Sequence, residues 1–160
     1  MAQDSREASF EEWGGDFQQV VAPLAASTIA ADRPLRSLSP LALAYIGDAV
    51  YELFVRSRLL IPPRQIRTFH RQVVDQVRAE QQALYLEHLR PHLSDTELDV
   101  LRRARNAASG RKTRASRREY QQATAFEALL GYLYLSDPQR LMAVLAQLPI
   151  APETSPTPSA

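Results

Sequence analysis

SPLALAYIGDAVYELFVRSRLL, residues 39–60, is the stretch on which the fold turns. Ser39 suits a helix N-cap and Pro40 the first helical position, where the missing N–H costs nothing. Ile61-Pro62-Pro63 ends the helix, because proline blocks its continuation. Between these limits the residues are nearly all apolar, and Asp48 is the only charge between Arg36 and Glu52. A mostly buried helix carrying one acid is therefore expected. An ionised carboxylate leaves water only at a cost of roughly several kcal/mol, so it calls for a partner or a ligand. EYQQATAFEALLGYLYLS, residues 119–136, repeats the feature, with Glu127 the only charge between Glu119 and Asp137. Gly47 precedes Asp48, and Gly131 follows Glu127 by four residues. Each glycine weakens its helix by about 1 kcal/mol relative to alanine, which a close approach of another backbone would justify. The two helices are expected to cross at the glycines and bring the carboxylates together.

Outward from these two segments the chain also reads as helical. Ile66, Phe69, Val73 and Val74 make one apolar stripe; after a break near Asp75, Val77, Leu84, Leu86 and Leu89 make the next, which Pro91 ends. Ser94 and Glu97 form a capping box ahead of Leu98, Val100, Leu101 and Ala104. Residues 108–116 are expected to be an exposed loop, the second acid-bearing helix to run roughly over 119–135, and Asp137-Pro138 to open a last helix with Leu141, Met142, Val144, Leu145 and Leu148 inward. No run alternates with period two, so the fold class is all-α, a helical bundle. Length suits one core. Residues 1–33 read as an acidic N-terminal extension, 34–148 as the domain, and 149–160, with four of the eleven prolines, as a disordered tail.

There is no cysteine, which excludes disulfides, thiolate zinc sites and a cysteine nucleophile. No apolar run approaches a membrane span and the start lacks a basic segment followed by an apolar one, so a soluble cytoplasmic protein without a membrane partner is expected. The net charge of +1 conceals a division: residues 1–32 hold six acids and one base, while residues 33–148 hold eighteen bases, all but one arginine, against eleven acids. From Arg102 to Arg118 there are eight bases and no acid. The arginine fork matches phosphate oxygens. Facing carboxylates without histidine or cysteine suit Mg²⁺, and a basic segment beside them would hold a phosphate, a combination that points to metal-assisted phosphodiester hydrolysis. Other readings stay open: Asp48 satisfied by an arginine or a helix N-terminus, the basic run a solvated loop, and Glu52 either near a metal or paired with Arg56 one turn on. His88 and His92 lack a third zinc-ligand spacing and read as surface residues, and Tyr45, Tyr51, Tyr132 and Tyr134 read as core.

YIGDAVYELFV, residues 45–55, resembles the signature of the ribonuclease III family, in which an acid follows a Leu/Ile-Gly pair. TAFEALLGYLYL, residues 124–135, resembles that family's second acidic helix. With the intervening LRRARNAASGRK, the order and spacing are most similar to the short bacterial branch, Mini-ribonuclease III, over about residues 36–148. The resemblance implies an all-helical homodimer that cuts double-stranded RNA with Mg²⁺, one active site per subunit, in maturation of large-subunit (23S) ribosomal RNA precursors, without a separate double-stranded RNA-binding domain. By position, Asp48 and Glu127 match the catalytic, metal-binding acids. The longer family pattern, E-x-x-E-F-L-G-D and D-x-x-E, has three more acids, replaced here by Leu41, Ala44 and Thr124. The resemblance further implies that Thr124 orients a water and that Arg105, Asn106, Ser109, Arg111, Lys112 and Arg114 contact RNA. The alternative is a non-catalytic RNA-binding or ribosome-associated scaffold of the same fold. A nucleotide pyrophosphohydrolase would show paired E-x-x-E motifs, which are lacking.

Overall fold

The hydroxyl of Ser39 accepts the Ala42 N–H at 3.0 Å and starts helix α1, Pro40–Leu59, where the capping rules place it. The computed structural model describes residue 19 and residues 35–109 and 114–150. Among them follow α2 (Ile66–Val77), α3 (Ala79–Leu89), a 3₁₀ turn (Arg90–His92), α4 (Asp95–Ala107), α5 (Arg114–Ser136) and α6 (Pro138–Leu145), and no strand. The expected all-α class is correct. The proposed extension, the end of the basic loop and residues 151–160 of the tail lie outside the described residues.

Helix α5 is the centre. Ala125, Phe126, Ala128, Leu129, Leu130 and Leu133 are all at most 2% exposed, and α1, α3, α4 and α6 pack around it. A stretch such as residues 122–134, buried on nearly every side, sits at the centre of a bundle. Helix α1 is a correction to the expected mostly buried helix. Leu43, Ala44, Gly47, Val50, Tyr51, Phe54, Val55 and Leu59 face the core, whereas Leu41, Tyr45 and Leu53 face outward, Tyr45 at 85% exposure. Tyr51 and Tyr134 are core residues as expected; Tyr45 is not. Tyr51 meets Phe126 edge to face, with ring centroids 5.0 Å apart.

Glycine is required where α1 crosses α5. A Cβ on Gly47 would lie 1.8 Å from the Glu127 carbonyl oxygen and 2.7 Å from Gly131 N, and a Cβ on Gly131 would lie 2.0 Å from the Leu43 carbonyl oxygen. Backbone cannot yield as a flexible side chain does, so the two helices touch main chain to main chain.

Elsewhere the boundaries move. The α2–α3 break falls at Arg78, three residues beyond Asp75, and Ile66, Val74 and Leu84, expected on apolar stripes, are exposed. Helix α5 begins at Arg114, five residues before the expected start, which shortens the basic loop. Ile150, placed in the tail by its prolines, is 3% exposed and joins the core. The capping box of α4 is present: Ser94 Oγ accepts the Glu97 N–H at 3.3 Å, and Glu97 Oε2 accepts the Ser94 N–H at 2.8 Å. Glu97 is also buried, and Arg140 of α6 donates to its Oε1 at 2.8 Å and its Oε2 at 3.0 Å. Asp137 caps α6 through the Arg140 N–H at 2.9 Å.

Gly47→Ala will destabilise the protein by about 3 kcal/mol or more, since relief of a backbone clash requires the helices to separate. Urea unfolding followed by circular dichroism measures this, with Ala49→Gly on the exposed side of the same helix expected to cost only about 1 kcal/mol.

Candidate active site

The helix crossing that demands two glycines also places two acids. Asp48 follows Gly47 directly, and the Glu127 carbonyl is the atom against which Gly47 packs. The charge of Asp48 acts on Glu127. The Glu127 carboxyl is pushed up to about 7, first by loss of water and second by the charge of Asp48. Asp48 is raised as well, by loss of water and then by Glu52. Asp48 departs from expectation in one respect: it stands on the solvent side of α1, while Glu127 is the more enclosed of the two. Neither acid forms an ion pair with a lysine, arginine or histidine among the described residues.

The other candidates fall at different distances. Glu52, one turn beyond Asp48, accepts from Arg56 Nη2 at 2.7 Å, so it acts on Asp48 through its charge while paired along its own helix. Thr124, one turn before Glu127, is 4% exposed, and its hydroxyl donates to the Tyr120 carbonyl at 2.9 Å. Arg105 and Asn106 are exposed in the last turn of α4, and Ser109 is exposed just beyond it. Gln121 Nε2 donates to the Ala108 carbonyl at 3.2 Å and ties that end of the basic segment to α5. Gln121 precedes Glu127 by six residues, about 9 Å along the helix axis, and Arg114 precedes it by thirteen, about 20 Å. The far end of the segment is thus remote from the acids. Arg111 and Lys112 and the Arg114 side chain lie outside the described residues. His88 and His92 are exposed, and no group of three or more histidines and acids arranged to hold a metal occurs among the described residues.

Gln82 was not anticipated. Its buried amide donates to the Val77 carbonyl at 2.9 Å and opposes the upward shift of Glu127. A signal for it exists in the sequence: Gln82 precedes Tyr85, Leu86 and Leu89 by three, four and seven residues, so it occupies an apolar-stripe position with a polar side chain.

Two carboxylates with no nitrogen or sulfur donors fit a hard cation such as Mg²⁺, which keeps several waters and takes one or two carboxylates plus substrate phosphate. Their raised pKa values fit as well, because like charges brought together out of water favour an added positive charge.

Residues 41–138 match the Ribonuclease III domain family. The chain is 50% identical over 133 residues to Mini-ribonuclease 3 of Thermosynechococcus vestitus, covering 83% of this chain and 85% of that protein. It is 54% identical over 127 residues to Mini-ribonuclease 3 of a Synechocystis species, covering 79% and 88%. Its fold is similar to the crystal structure of a Fusobacterium nucleatum protein, with a TM-score of 0.66 and 28% identity over 72% of this chain and 96% of that one. No helix among the described residues is long and apolar enough to cross a membrane.

The elevated Glu127 carries a pH signature. Its folded value of about 7 exceeds the ordinary 4.5, so the native state holds a proton that the unfolded chain has released, and stability falls as pH rises through that interval. Without divalent cations, Glu127→Gln will match the unaltered protein at the acid end and exceed it above pH 7 by roughly 1–3 kcal/mol. Urea unfolding in chelator across this range gives the two curves; parallel curves would remove the shift.

Proposed function

The chain belongs to the ribonuclease III family, in its Mini-ribonuclease 3 branch, and we propose that this ribonuclease hydrolyses phosphodiester bonds in double-stranded RNA, as a homodimer and with Mg²⁺ held by Asp48 and Glu127. The observation that carries the reading is the half-buried Glu127 facing the charge of Asp48 at the α1–α5 crossing. A fold with no need of charge there would be relieved by Asn, Gln or Leu. A divalent cation bound at the pair supplies positive charge to the scissile phosphate and acidifies the attacking water.

The protein's own part is positional. Glu127 sits on the most enclosed helix of the bundle, so its carboxylate is held with little freedom. Thr124 has committed its proton to Tyr120, so toward the site its hydroxyl acts as an acceptor and orients a water by receiving a hydrogen bond from it. Arg105, Asn106 and Ser109, joined by Arg111, Lys112 and Arg114, hold phosphates and 2′-hydroxyls of the duplex away from the cut, since A-form RNA is read by shape across its minor groove. Glu52 contributes negative charge next to Asp48.

The homodimer is supported by the outward face of α1, where Leu41, Tyr45 and Leu53 leave apolar surface in water at 47%, 85% and 47% exposure. Asp48 lies on the same solvent side, so pairing through this face sets two acid pairs near one duplex, one for each strand. The substrate we assign is the large-subunit (23S) ribosomal RNA precursor, processed in the cytoplasm, on the strength of the branch to which the chain belongs.

Asp48→Asn and Glu127→Gln will each bind labelled double-stranded RNA and cut it at least about a hundredfold more slowly in Mg²⁺ than the unaltered protein. Gel-resolved cleavage and filter binding, run together, separate the two effects. Duplex binding by the unaltered protein with no cleavage in any divalent cation would instead leave an RNA-binding scaffold. Tyr45→Arg will yield a monomer by light scattering and convert double-strand cuts to single-strand nicks or none; a dimer with full activity would place the interface elsewhere.

A further inference from the structure

The chain leaves α4 at Ala108, whose ψ of 103° is no longer helical although its N–H still donates to the Ala104 carbonyl at 3.0 Å. The Ala108 carbonyl lies beyond the helix and has no partner within it, and the residue is 2% exposed, so a donor must come from the protein. Gln121 of α5 supplies it, Nε2 donating at 3.2 Å. Ala108 is therefore held on both sides, by α4 through its N–H and by α5 through its carbonyl. Ser109 follows directly and is exposed. From beside Gln121 the chain regains about 10 Å along α5 to enter that helix at Arg114, whereas six peptide links reach at most about 20 Å. Chain length alone leaves the start of the basic segment unfixed, and the Gln121 bond fixes it. In the other direction Gln121 stands about 9 Å before Glu127 on the same helix. One side chain thus relates the start of the basic segment to the acid pair.

We propose that Gln121 is a positioning residue for double-stranded RNA: by holding the Ala108 carbonyl it sets Ser109 and the start of the basic segment at a fixed distance from Asp48 and Glu127, so that a duplex gripped at the one lies over the other. This rests on the reading of that segment as an RNA grip. A bond that only closed the end of α4 would act on stability alone. Here the closed end is also the root of the grip, and its loss costs ordering of the segment when RNA binds.

The test is binding and cleavage of labelled double-stranded RNA by the full chain, comparing the unaltered protein with Gln121→Met, of similar length and without a donor, and with Arg105→Ala. Gln121→Met is expected to raise Kd and KM about fivefold, the worth of one neutral hydrogen bond, with kcat at saturating RNA within about twofold of the unaltered value. Unchanged Kd and KM, with only the unfolding temperature lowered, reduce Gln121 to a helix closure and overturn the proposal while the grip stands. If Arg105→Ala binds as the unaltered protein does, or the unaltered protein binds no duplex, the grip itself fails and the proposal with it. A second measurement needs no variant. In ¹⁵N-labelled protein the Gln121 side-chain amide signals are expected to move as duplex RNA is added without divalent cation, with the midpoint of binding. Signals that stay fixed overturn the proposal even if Gln121→Met does not fold.

Discussion

Two helices in this protein meet backbone to backbone, and the rest of the structure depends on that contact. At Gly47 and Gly131 there is no room for a methyl group, since a Cβ would enter the carbonyl oxygens of Glu127 and Leu43. Each glycine costs its helix about 1 kcal/mol of propensity. The return is an α5 that lies deep enough for the remaining helices to pack around it and for its apolar surface to leave water on every side. Because the acids adjoin the contact, the places of their Cα atoms are set by main chain, the least adjustable part of the molecule.

The two enclosed glutamates show what that placement means. Glu97 accepts two hydrogen bonds from Arg140 and one from the Ser94 N–H, and Arg140 holds its carboxyl below the ordinary range despite burial. Its charge is matched, and it ties α4 to α6. Glu127 has an amide beside it and another acid opposite, and its pKa moves the other way. Burial alone does not distinguish them; the identity of the partner does. A matched acid serves the fold, whereas an acid set against another acid has electrostatic capacity left for a cation.

Function is distributed along α5 by distance. On the proposed reading its first turn carries the basic grip and its middle carries Glu127, about 20 Å further along. Gln121 holds the end of α4 between these two stations. Helix α1 divides its roles by face: one side is core, and the other presents Asp48 among apolar side chains.

Local chemistry was legible in the sequence. Ser39-Pro40, the Ser94–Glu97 box and Asp137-Pro138 each start a helix where their hydrogen bonds dictate, because capping involves residues only two or three apart. The glycine–acid coincidence was legible too, since an unfavourable residue in a helix implies a compensating contact. Properties that depend on what lies opposite were not legible. Asp48 reads as buried from its apolar neighbours in the chain, yet a helix packed on one side exposes the other, and only the bundle decides which. Ile150 reads as tail from its prolines and is drawn into the core. Gln82 reads as one of several polar residues opening α3, yet it is 2% exposed and its amide donates to the Val77 carbonyl. The sequence by itself determined the helices, their caps and the two acids, because those follow from spacings within a turn or two. Tertiary structure alone decided that α5 is the centre and that Glu97 is matched while Glu127 is not, because burial and electrostatics are set by neighbours that are close in space and distant along the chain.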